Sequence, residues 1–166
     1  SGTAPYGYLH LKTDNDRTTL VVGEEEARIV RQMYAWLIED QASLRQIAIK
    51  LNDRCVPTSR GGSRWLPSTV GKILNNEVYA GILNFRRTEA VEPKTRHEYR
   101  AYRKYSKTGR RIRSNEDWIA IPVPAIIARD TWDRAQQQLQ ANSGRAKRNC
   151  RRQYLLRSLL VCGKCG

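Results

Sequence analysis

The sequence predicts an α+β protein that is mainly helical, in which a small helical core carries a helix-turn-helix-like element and a short antiparallel sheet. Two observations predict this class: apolar residues recur at helical spacing in several stretches, and short apolar runs that suit strands are bounded by turn-forming residues. With 166 residues, 40% of them apolar, the chain can bury a sizeable core. We therefore expect one domain with appendages rather than two full domains.

Residues 1–22 predict an extended arm followed by a small hairpin. Residues 1–8 contain two glycines and a proline, which disfavour a helix. Two apolar runs in residues 9–22 flank a turn-rich cluster at residues 13–16. The tyrosines of the arm either lie along DNA or pack on the core, and their local chemistry alone favours packing on the core.

Two helices are predicted after the hairpin. Three glutamates mark a helix N-terminus at Glu24, and apolar residues at helical spacing extend this helix to about residue 39. Ser43 and Gln46 form a possible capping box. The second amphipathic helix follows this box and ends near residue 53.

A long loop joins the second helix to a third one. Residues 54–66 contain one proline and two glycines, so we expect a loop that carries Arg60 and Arg64 and is anchored at its end by Trp65. The third helix begins at Pro67 or at Ser68, where proline suits the first turn.

Within the third helix, Ser68 or Thr69 is the expected cap, and Val70, Ile73 and Leu74 form the expected buried stripe. The second and third helices resemble a helix-turn-helix, but their loop far exceeds the usual turn of about 3 to 4 residues. One interpretation places Ser68, Thr69 and Lys72 against DNA, and the other is an ordinary three-helix core. The pattern alone leaves the two interpretations about even.

Residues 79–87 and 118–123 predict two strands that can pair, and Asp130 can cap a last helix that runs to about residue 141. Between the strands, residues 86–113 hold 11 basic and 3 acidic residues with three tyrosines interspersed. This mixture suits a surface that follows phosphates, and it equally suits a charged loop. Residues 106–109 indicate a hairpin tip whereas Pro93 can start a helix, so the conformation of this segment stays open.

The charge distribution points to a polyanionic partner. The net charge is +14; residues 1–53 hold 6 basic and 8 acidic residues, whereas residues 54–166 hold 24 basic and 8 acidic ones. Such asymmetry favours nucleic acid over a merely soluble basic surface. We find no membrane span and no signal peptide pattern, so we expect no membrane partner and a cytoplasmic location.

The spacing of the four cysteines does not suggest a disulfide framework, and two of them predict half of a zinc site. Cys162 and Cys165 form a Cys-x-x-Cys turn flanked by glycine after an apolar run, which is typical of the first knuckle of a zinc ribbon. Tetrahedral zinc needs four ligands, and no second knuckle is evident. We therefore expect the chain to end inside a zinc module, with zinc bound in the longer protein and absent or weakly held here.

No motif supplies a nucleophile with its base, a pair of acids in a cleft or a metal with an open position. The redox interpretation of Cys-x-x-Cys lacks the βαβ setting of a thioredoxin-like protein. The sequence therefore predicts that this chain is not catalytic by itself.

Several motifs together resemble the recombinase domain of large serine recombinases (LSRs), including phage integrases. In chain order they are Gly2-x-x-Pro5-Tyr-Gly-Tyr8, Ile47-Ala48 with Leu51-Asn52, Trp65-x-x-Ser-Thr-Val70, Ile73-Leu-Asn-Asn76 with Tyr79-x-Gly81, Ala125-Ile-Ile127 with Trp132, and Tyr154-Leu-Leu156 with Cys162-x-x-Cys165-Gly. Each motif is weak alone, but their order and spacing are specific. The long basic insertion at residues 86–113 and Ser158, where the family usually has glycine, depart from the pattern.

The resemblance implies a division of the chain into an extended arm (1–8), a DNA-binding recombinase domain (9–141), a basic linker (142–153) and the start of a zinc ribbon (154–166). In that family a separate N-terminal domain cuts DNA through a phosphoserine link, and this chain is similar to the part that finds the site. The resemblance also implies a bacterial or phage-encoded protein that acts as a dimer on each site and as a tetramer in the synaptic complex.

The predicted function is sequence-specific binding of double-stranded DNA at recombination attachment sites, as the C-terminal part of a serine recombinase or integrase. The alternatives are a single-stranded nucleic-acid-binding module of a regulator and a protein-interaction domain whose charge only keeps it soluble. The resemblance favours contact of the arm with DNA over packing of its tyrosines on the core. The predicted DNA contacts are Pro5, Tyr6, Tyr8, Arg60, Arg64, Ser68, Thr69, Lys72, Arg86, Arg87, Arg145, Lys147, Arg148 and Arg151.

Overall fold

Four helices and six short strands make up the described part of the computed structural model, which covers residues 3–12, 18–58, 61–62, 64–91 and 109–144. The helices are α1 (Glu24–Ile38), α2 (Leu44–Asp53), α3 (Pro67–Leu74) and α4 (Arg129–Gly144). The strands are β1 (Tyr8–Lys12), β2 (Thr18–Val22), β3 (Ile82–Phe85), β4 (Thr88–Val91), β5 (Gly109–Ile112) and β6 (Ile119–Pro122). The predicted α+β class is confirmed.

The core forms where the apolar stripes of the helices meet. Helix α1 packs against each of the other three helices, and α2 also packs against α3. On α1, Ala27, Val30 and Leu37 are fully buried, as their helical spacing predicts. Within the described residues, no charged side chain and no polar side chain falls in the buried class. No described helix is both long and apolar enough to span a bilayer.

The predicted N-terminal hairpin is present. Strands β1 and β2 pair antiparallel from Tyr8 opposite Val22 to Lys12 opposite Thr18. Leu20 and Val22 pack against the core, whereas Leu9 and Leu11 point outward and are more than half exposed. The hairpin therefore covers the core with one face only, as alternation along a strand requires.

The remaining four strands form a two-stranded ribbon in two antiparallel sections. Strand β3 pairs with β6, and β4 pairs with β5. The Arg113 N–H donates to the Arg87 carbonyl at 2.9 Å in the gap between the two sections. In that gap two residues of one side face six of the other, and these six include a 3-10 turn at Asn115–Asp117. The predicted pairing of residues 79–87 with 118–123 is thus confirmed for Ile82–Phe85 and Ile119–Pro122.

Three predicted boundaries are corrected. The strand predicted from residue 79 starts at Ile82, because Glu77–Ala80 forms a 3-10 turn that is capped by the Asn76 side chain and left through Gly81 at φ 91°. The last helix starts at Arg129, one residue before Asp130. It continues to Gly144, so the linker predicted from residue 142 begins inside this helix.

Candidate nucleic-acid interface

Helix α3 presents one polar face to solvent. Val70 and Leu74 are fully buried and Ile73 is nearly so, as predicted. Ser68 and Lys72 are exposed and lie four residues apart, which places them on the same side of the helix, while Thr69 is half-buried. The predicted contacts Ser68 and Lys72 are therefore brought together on an open surface.

The start of α3 differs from the predicted cap. Leu66 is the N-cap residue and Pro67 occupies the first turn, with no side-chain cap. Proline suits this position because its fixed φ matches the helix. Neither Ser68 nor Thr69 caps the helix, so that prediction is wrong. The hydroxyls of both residues make no hydrogen bond within the described part of the chain, and they are free to contact a ligand.

Helix α3 packs closely on α2. A Cβ added at Gly71 would meet the Leu44 Cδ1 at 3.1 Å, so glycine allows the two helices their close approach. Helix α2 itself begins with the predicted capping box: the Gln46 N–H donates to the Ser43 Oγ at 3.3 Å, and the Ser43 N–H donates to the Gln46 Oε1 at 2.8 Å. The exposed face of α3 thus rests on a rigid support.

The loop between α2 and α3 is held at both ends by Trp65, which is 2% exposed. The Asn52 Nδ2–H donates to the Trp65 carbonyl at 3.1 Å, and the Trp65 N–H donates to the Asn52 Oδ1 at 2.6 Å. The Trp65 indole N–H donates to the Val56 carbonyl at 2.8 Å. Trp65 was predicted as the anchor of this loop; the part of Asn52 was not predicted, because nothing in its sequence context marks a partner thirteen residues away.

Two predicted DNA contacts of the arm are corrected. Tyr6 and Tyr8 are 5% and 2% exposed, so neither ring can reach DNA. The Tyr6 ring packs edge-on against Trp65 at 5.2 Å, and its hydroxyl donates to the Pro57 carbonyl at 3.3 Å. The Tyr8 hydroxyl lies 2.8 Å from the carbonyl oxygens of both Val78 and Pro124. The arm packs its tyrosines on the core.

Burial also fixes the ionisation of these rings. Loss of hydration raises the pKa of Tyr8 to about 12. It raises the pKa of Tyr6 to about 12 as well, with a smaller contribution from the negative charge of Glu26. The two phenols therefore stay neutral, and keep donating hydrogen bonds, at a pH above 10 where a free phenol ionises. Pro5 is half-buried, and its carbonyl accepts from the Tyr8 N–H at 3.0 Å.

Two exposed cations lie on α3 or shortly before it in the sequence. Arg64 and Lys72 are exposed and form no ion pair or hydrogen bond within the described residues. By contrast, Lys50 lies 2.6 Å from Asp40, and Arg31 lies 3.0 Å from Glu24. An exposed cation without a carboxylate partner leaves its full charge for an external anion.

The ribbon presents the other predicted contacts within the described chain. Arg86 is exposed and has φ 57°, a left-handed backbone that is uncommon for a residue with a side chain. Arg87 is also exposed, and its guanidinium lies 4.6 Å from the centre of the Trp118 ring. Arg111 and Arg113, in contrast, are paired with Glu89 at 2.6 Å and 3.7 Å.

Seven predicted site residues lie outside the described residues, as do all three tyrosines of the basic segment. Among the described residues, no group of three or more histidine, cysteine, aspartate or glutamate side chains could hold a metal ion. Cys55 is exposed and forms no disulfide. The site residues outside the described ranges are Arg60, Arg145, Lys147, Arg148, Arg151, Cys162 and Cys165.

Comparison with known proteins places this geometry in a family context. The family model for Recombinase matches residues 24–142. A curated protein of Bacillus subtilis (strain 168), named "Putative DNA recombinase", is 30% identical over 165 residues, covering 97% of this chain and 31% of that protein. The chain thus spans about a third of the length of this relative.

Two solved structures share the fold, each with a TM-score of 0.55. One is the crystal structure of an LSR–DNA complex; it is 17% identical and covers 100% of this chain and 41% of that chain. The other concerns the sequence requirements of the Listeria innocua prophage attP site; it is 19% identical and covers 99% of this chain and 55% of that chain. The likeness extends over essentially the whole sequence.

Proposed function

Because this chain belongs to the Recombinase family, we propose that it binds double-stranded DNA sequence-specifically, as the site-recognising part of a large serine recombinase. The solved structures of similar fold concern an LSR–DNA complex and a prophage attP site, which supports duplex DNA at an attachment site as the ligand. The resemblance noted in the sequence motifs agrees with this family.

The observation that carries the proposal is the exposed face of α3. Ser68 and Lys72 offer donors and a charge on one side of a helix that is supported by α2, and neither side chain has a hydrogen-bond or ion-pair partner among the described residues. A helix of this kind fits the major groove, where lysine and hydroxyl side chains can reach base edges. Arg64 is exposed and lies directly before the anchored Trp65, and we propose that it adds a further DNA contact beside α3.

Phosphate contacts position such a helix, and this chain offers several cations for them. In our proposal Arg86 and Arg87 of the ribbon contact the backbone beside the groove. Arg60 of the loop and Arg145, Lys147, Arg148 and Arg151, which follow α4 in the sequence, add further charge. The arm contributes through Pro5 and its backbone rather than through its buried rings.

DNA cleavage belongs, in this proposal, to a serine outside these 166 residues, and the longer recombinase assembles as a dimer on each site and a tetramer in synapsis. Zinc is proposed for the longer protein on the basis of Cys162 and Cys165 alone. Metal analysis of the 166-residue chain is expected to find no tightly held zinc, and one firmly bound zinc per chain would contradict this expectation.

The single-strand alternative has less support. Stacking on bases needs exposed aromatic rings, and the four tyrosines among the described residues, Tyr6, Tyr8, Tyr34 and Tyr79, are buried, although Phe85 is exposed. The family match and the fold of the similar structures favour duplex DNA.

Selection of bound duplexes from a random DNA pool at moderate salt tests the proposal. Direct base reading by α3 predicts recovery of one extended motif. Repeating the selection with Lys72→Ala is expected to relax the motif at particular base pairs. Recovery of unenriched DNA by the unaltered chain would mean that it contributes charge only and would contradict sequence-specific reading.

A further inference from the structure

The connection between α2 and α3 raises a physical problem. Thirteen residues separate the two helices, whereas a helix-turn-helix uses about 3 to 4. A long connection leaves many arrangements open, and base reading requires the reading helix to be held in one of them. Some side chain must therefore fix the end of this loop relative to α2.

Asn52, in the last turn of α2, supplies that link. Its side-chain amide donates to the Trp65 carbonyl and accepts from the Trp65 N–H, at 3.1 Å and 2.6 Å. The amide group of asparagine offers a donor and an acceptor side by side, which suits this two-way pairing with a backbone N–H and carbonyl. The pairing fixes both the position and the direction of the backbone at Trp65, two residues before Pro67 starts α3.

Trp65 carries the constraint into the rest of the loop. Its indole N–H donates to the Val56 carbonyl, and the Val56 N–H donates to the Leu51 carbonyl at 3.1 Å. The Tyr6 ring closes the outer side of Trp65, and the Tyr79 hydroxyl donates to the Tyr6 carbonyl at 2.9 Å. Both ends of the loop are thereby tied to α2 and to the core.

We infer that Asn52 is a positioning residue for DNA reading: by pairing with the Trp65 backbone it sets where Arg64 and α3 lie, without touching DNA itself. Its amide group is turned to Trp65 on both its donor and its acceptor side. The inference rests on the proposed function, because it takes Arg64 and α3 as the reading surface. It assigns part of the specificity to a residue outside that surface.

The test compares Asn52→Ala with Tyr8→Phe in the 166-residue chain. Tyr8→Phe is a matched control because it also removes a buried hydrogen bond, but one made to Val78 or Pro124, away from the loop. For each variant we would measure the Kd for the duplex recovered by selection and for a duplex of the same length and composition with scrambled sequence. The ratio of the two values is the readout.

We expect both variants to lower the Tm, but only Asn52→Ala to lower the ratio, by about tenfold, which corresponds to a single misplaced base contact. In Asn52→Ala, the rate of amide hydrogen exchange is expected to increase more at Trp65 and in α3 than in α1. A folded Asn52→Ala variant with the ratio of the unaltered chain would overturn the inference.

If Asn52→Ala does not fold, Asn52→Asp replaces it, since this change keeps the shape of the side chain and the acceptor for the Trp65 N–H but removes the donor to the Trp65 carbonyl. A lowered ratio is expected, and an unchanged ratio overturns the inference. A ratio of about one in the unaltered chain is a different result: it overturns the proposed function, and the inference with it.

Discussion

Arg64 and Lys72 are exposed, and neither pairs with an acidic side chain in the part of the chain that the structure describes. Removing an exposed side chain of this kind usually changes stability by less than about 0.5 kcal/mol. Any large effect of their removal on DNA binding therefore reports a lost contact with DNA and not a damaged fold. This separation makes them the sharpest single-residue probes of the interface.

Replacing Lys72 or Arg64 by alanine is expected to weaken binding to the selected duplex by about 1–3 kcal/mol each while binding to scrambled duplex falls less. The reason is that a lost base contact matters only on the correct sequence. Fluorescence anisotropy titrations at one fixed salt concentration measure both affinities. Arg134→Ala, which removes an exposed cation from α4, is the control. If Lys72→Ala and Arg64→Ala each weaken binding equally to the selected and the scrambled duplex, as the control is expected to, the result would contradict base reading.

The buried tyrosines predict a pH dependence at the alkaline end. Burial raises the pKa of Tyr6 and of Tyr8 to about 12, and it raises the pKa of Tyr34 and Tyr79 above the usual value of 10.0. Above pH 10 the unfolded chain loses phenolic protons that the folded chain retains. The free energy of unfolding is therefore undiminished below about pH 10 and falls as the pH rises toward 12 and beyond.

Tyrosinate absorbance and far-ultraviolet circular dichroism, followed together from about pH 9 to about pH 12, check this expectation, since the free phenol value of about 10 lies within this range. We expect the buried phenols to ionise together with unfolding. Tyr8→Phe is expected to show a shallower loss of stability over the same range. Ionisation of all tyrosines near pH 10 in a chain that stays folded would contradict it.

At the scale of elements, α2 and α3 start in different ways. Helix α2 begins with the reciprocal hydrogen bonds of Ser43 and Gln46, whereas α3 begins with Leu66 and Pro67 and uses no side-chain cap. A proline at the first helical position reduces the number of unpaired N–H groups by one. The hydroxyls of Ser68 and Thr69 in the first turn of α3 are therefore not used to cap the helix.

Ser43→Ala is therefore expected to lower the free energy of unfolding by about 1 kcal/mol, the usual effect of losing an N-cap side chain. Ser68→Ala makes the same chemical change in the first turn of α3 and is expected to leave stability nearly unchanged. Urea unfolding at neutral pH measures both. Equal destabilisation by the two changes would show that Ser68 has a structural role after all.

At the same scale, the ribbon carries more arginines than unpaired positive charges, because several of its arginines have partners within the ribbon. Arg111 and Arg113 share the carboxylate of Glu89, and the Arg87 guanidinium lies over Trp118. These contacts order a two-stranded hairpin, which is marginal in isolation. Arg86 and Arg110 keep their charge unpaired among the described residues, so we expect them to be the stronger phosphate contacts of this element.

For the whole molecule, the net charge of +14 predicts a steep dependence of DNA binding on salt. Neutralising Arg148 and Arg151 is expected to weaken binding to every duplex alike and to reduce the slope of log K against log salt by about 0.9 for each lost phosphate contact. Titrations at four or more salt concentrations measure the slope. A change in sequence preference without a change in slope would contradict a phosphate role for these two residues.

Local patterns predicted most of the elements because helix and strand periods and the capping box depend on residues close in sequence. The buried stripe of α3 and the Ser43 capping box are both confirmed. The predicted cap of α3 was wrong because Pro67, Ser68 and Thr69 all suit the start of a helix. Only the docking of Trp65 against α2 decides that the helix begins at Pro67. The predicted start of the first ribbon strand at residue 79 was wrong, because Tyr79 is drawn into the core by the 3-10 turn before Gly81 and the strand begins only at Ile82.

By itself, the sequence determined the α+β class, the uneven distribution of charge and the family resemblance, since these follow from composition, local period and motif order. Only the tertiary structure decided that Tyr6 and Tyr8 lie inside. The Tyr8 hydroxyl meets carbonyls 70 and 116 positions further along the chain, and Asn52 meets Trp65 across a loop. Burial and pairing over such separations depend on how the elements pack, and no local pattern of residues contains that information.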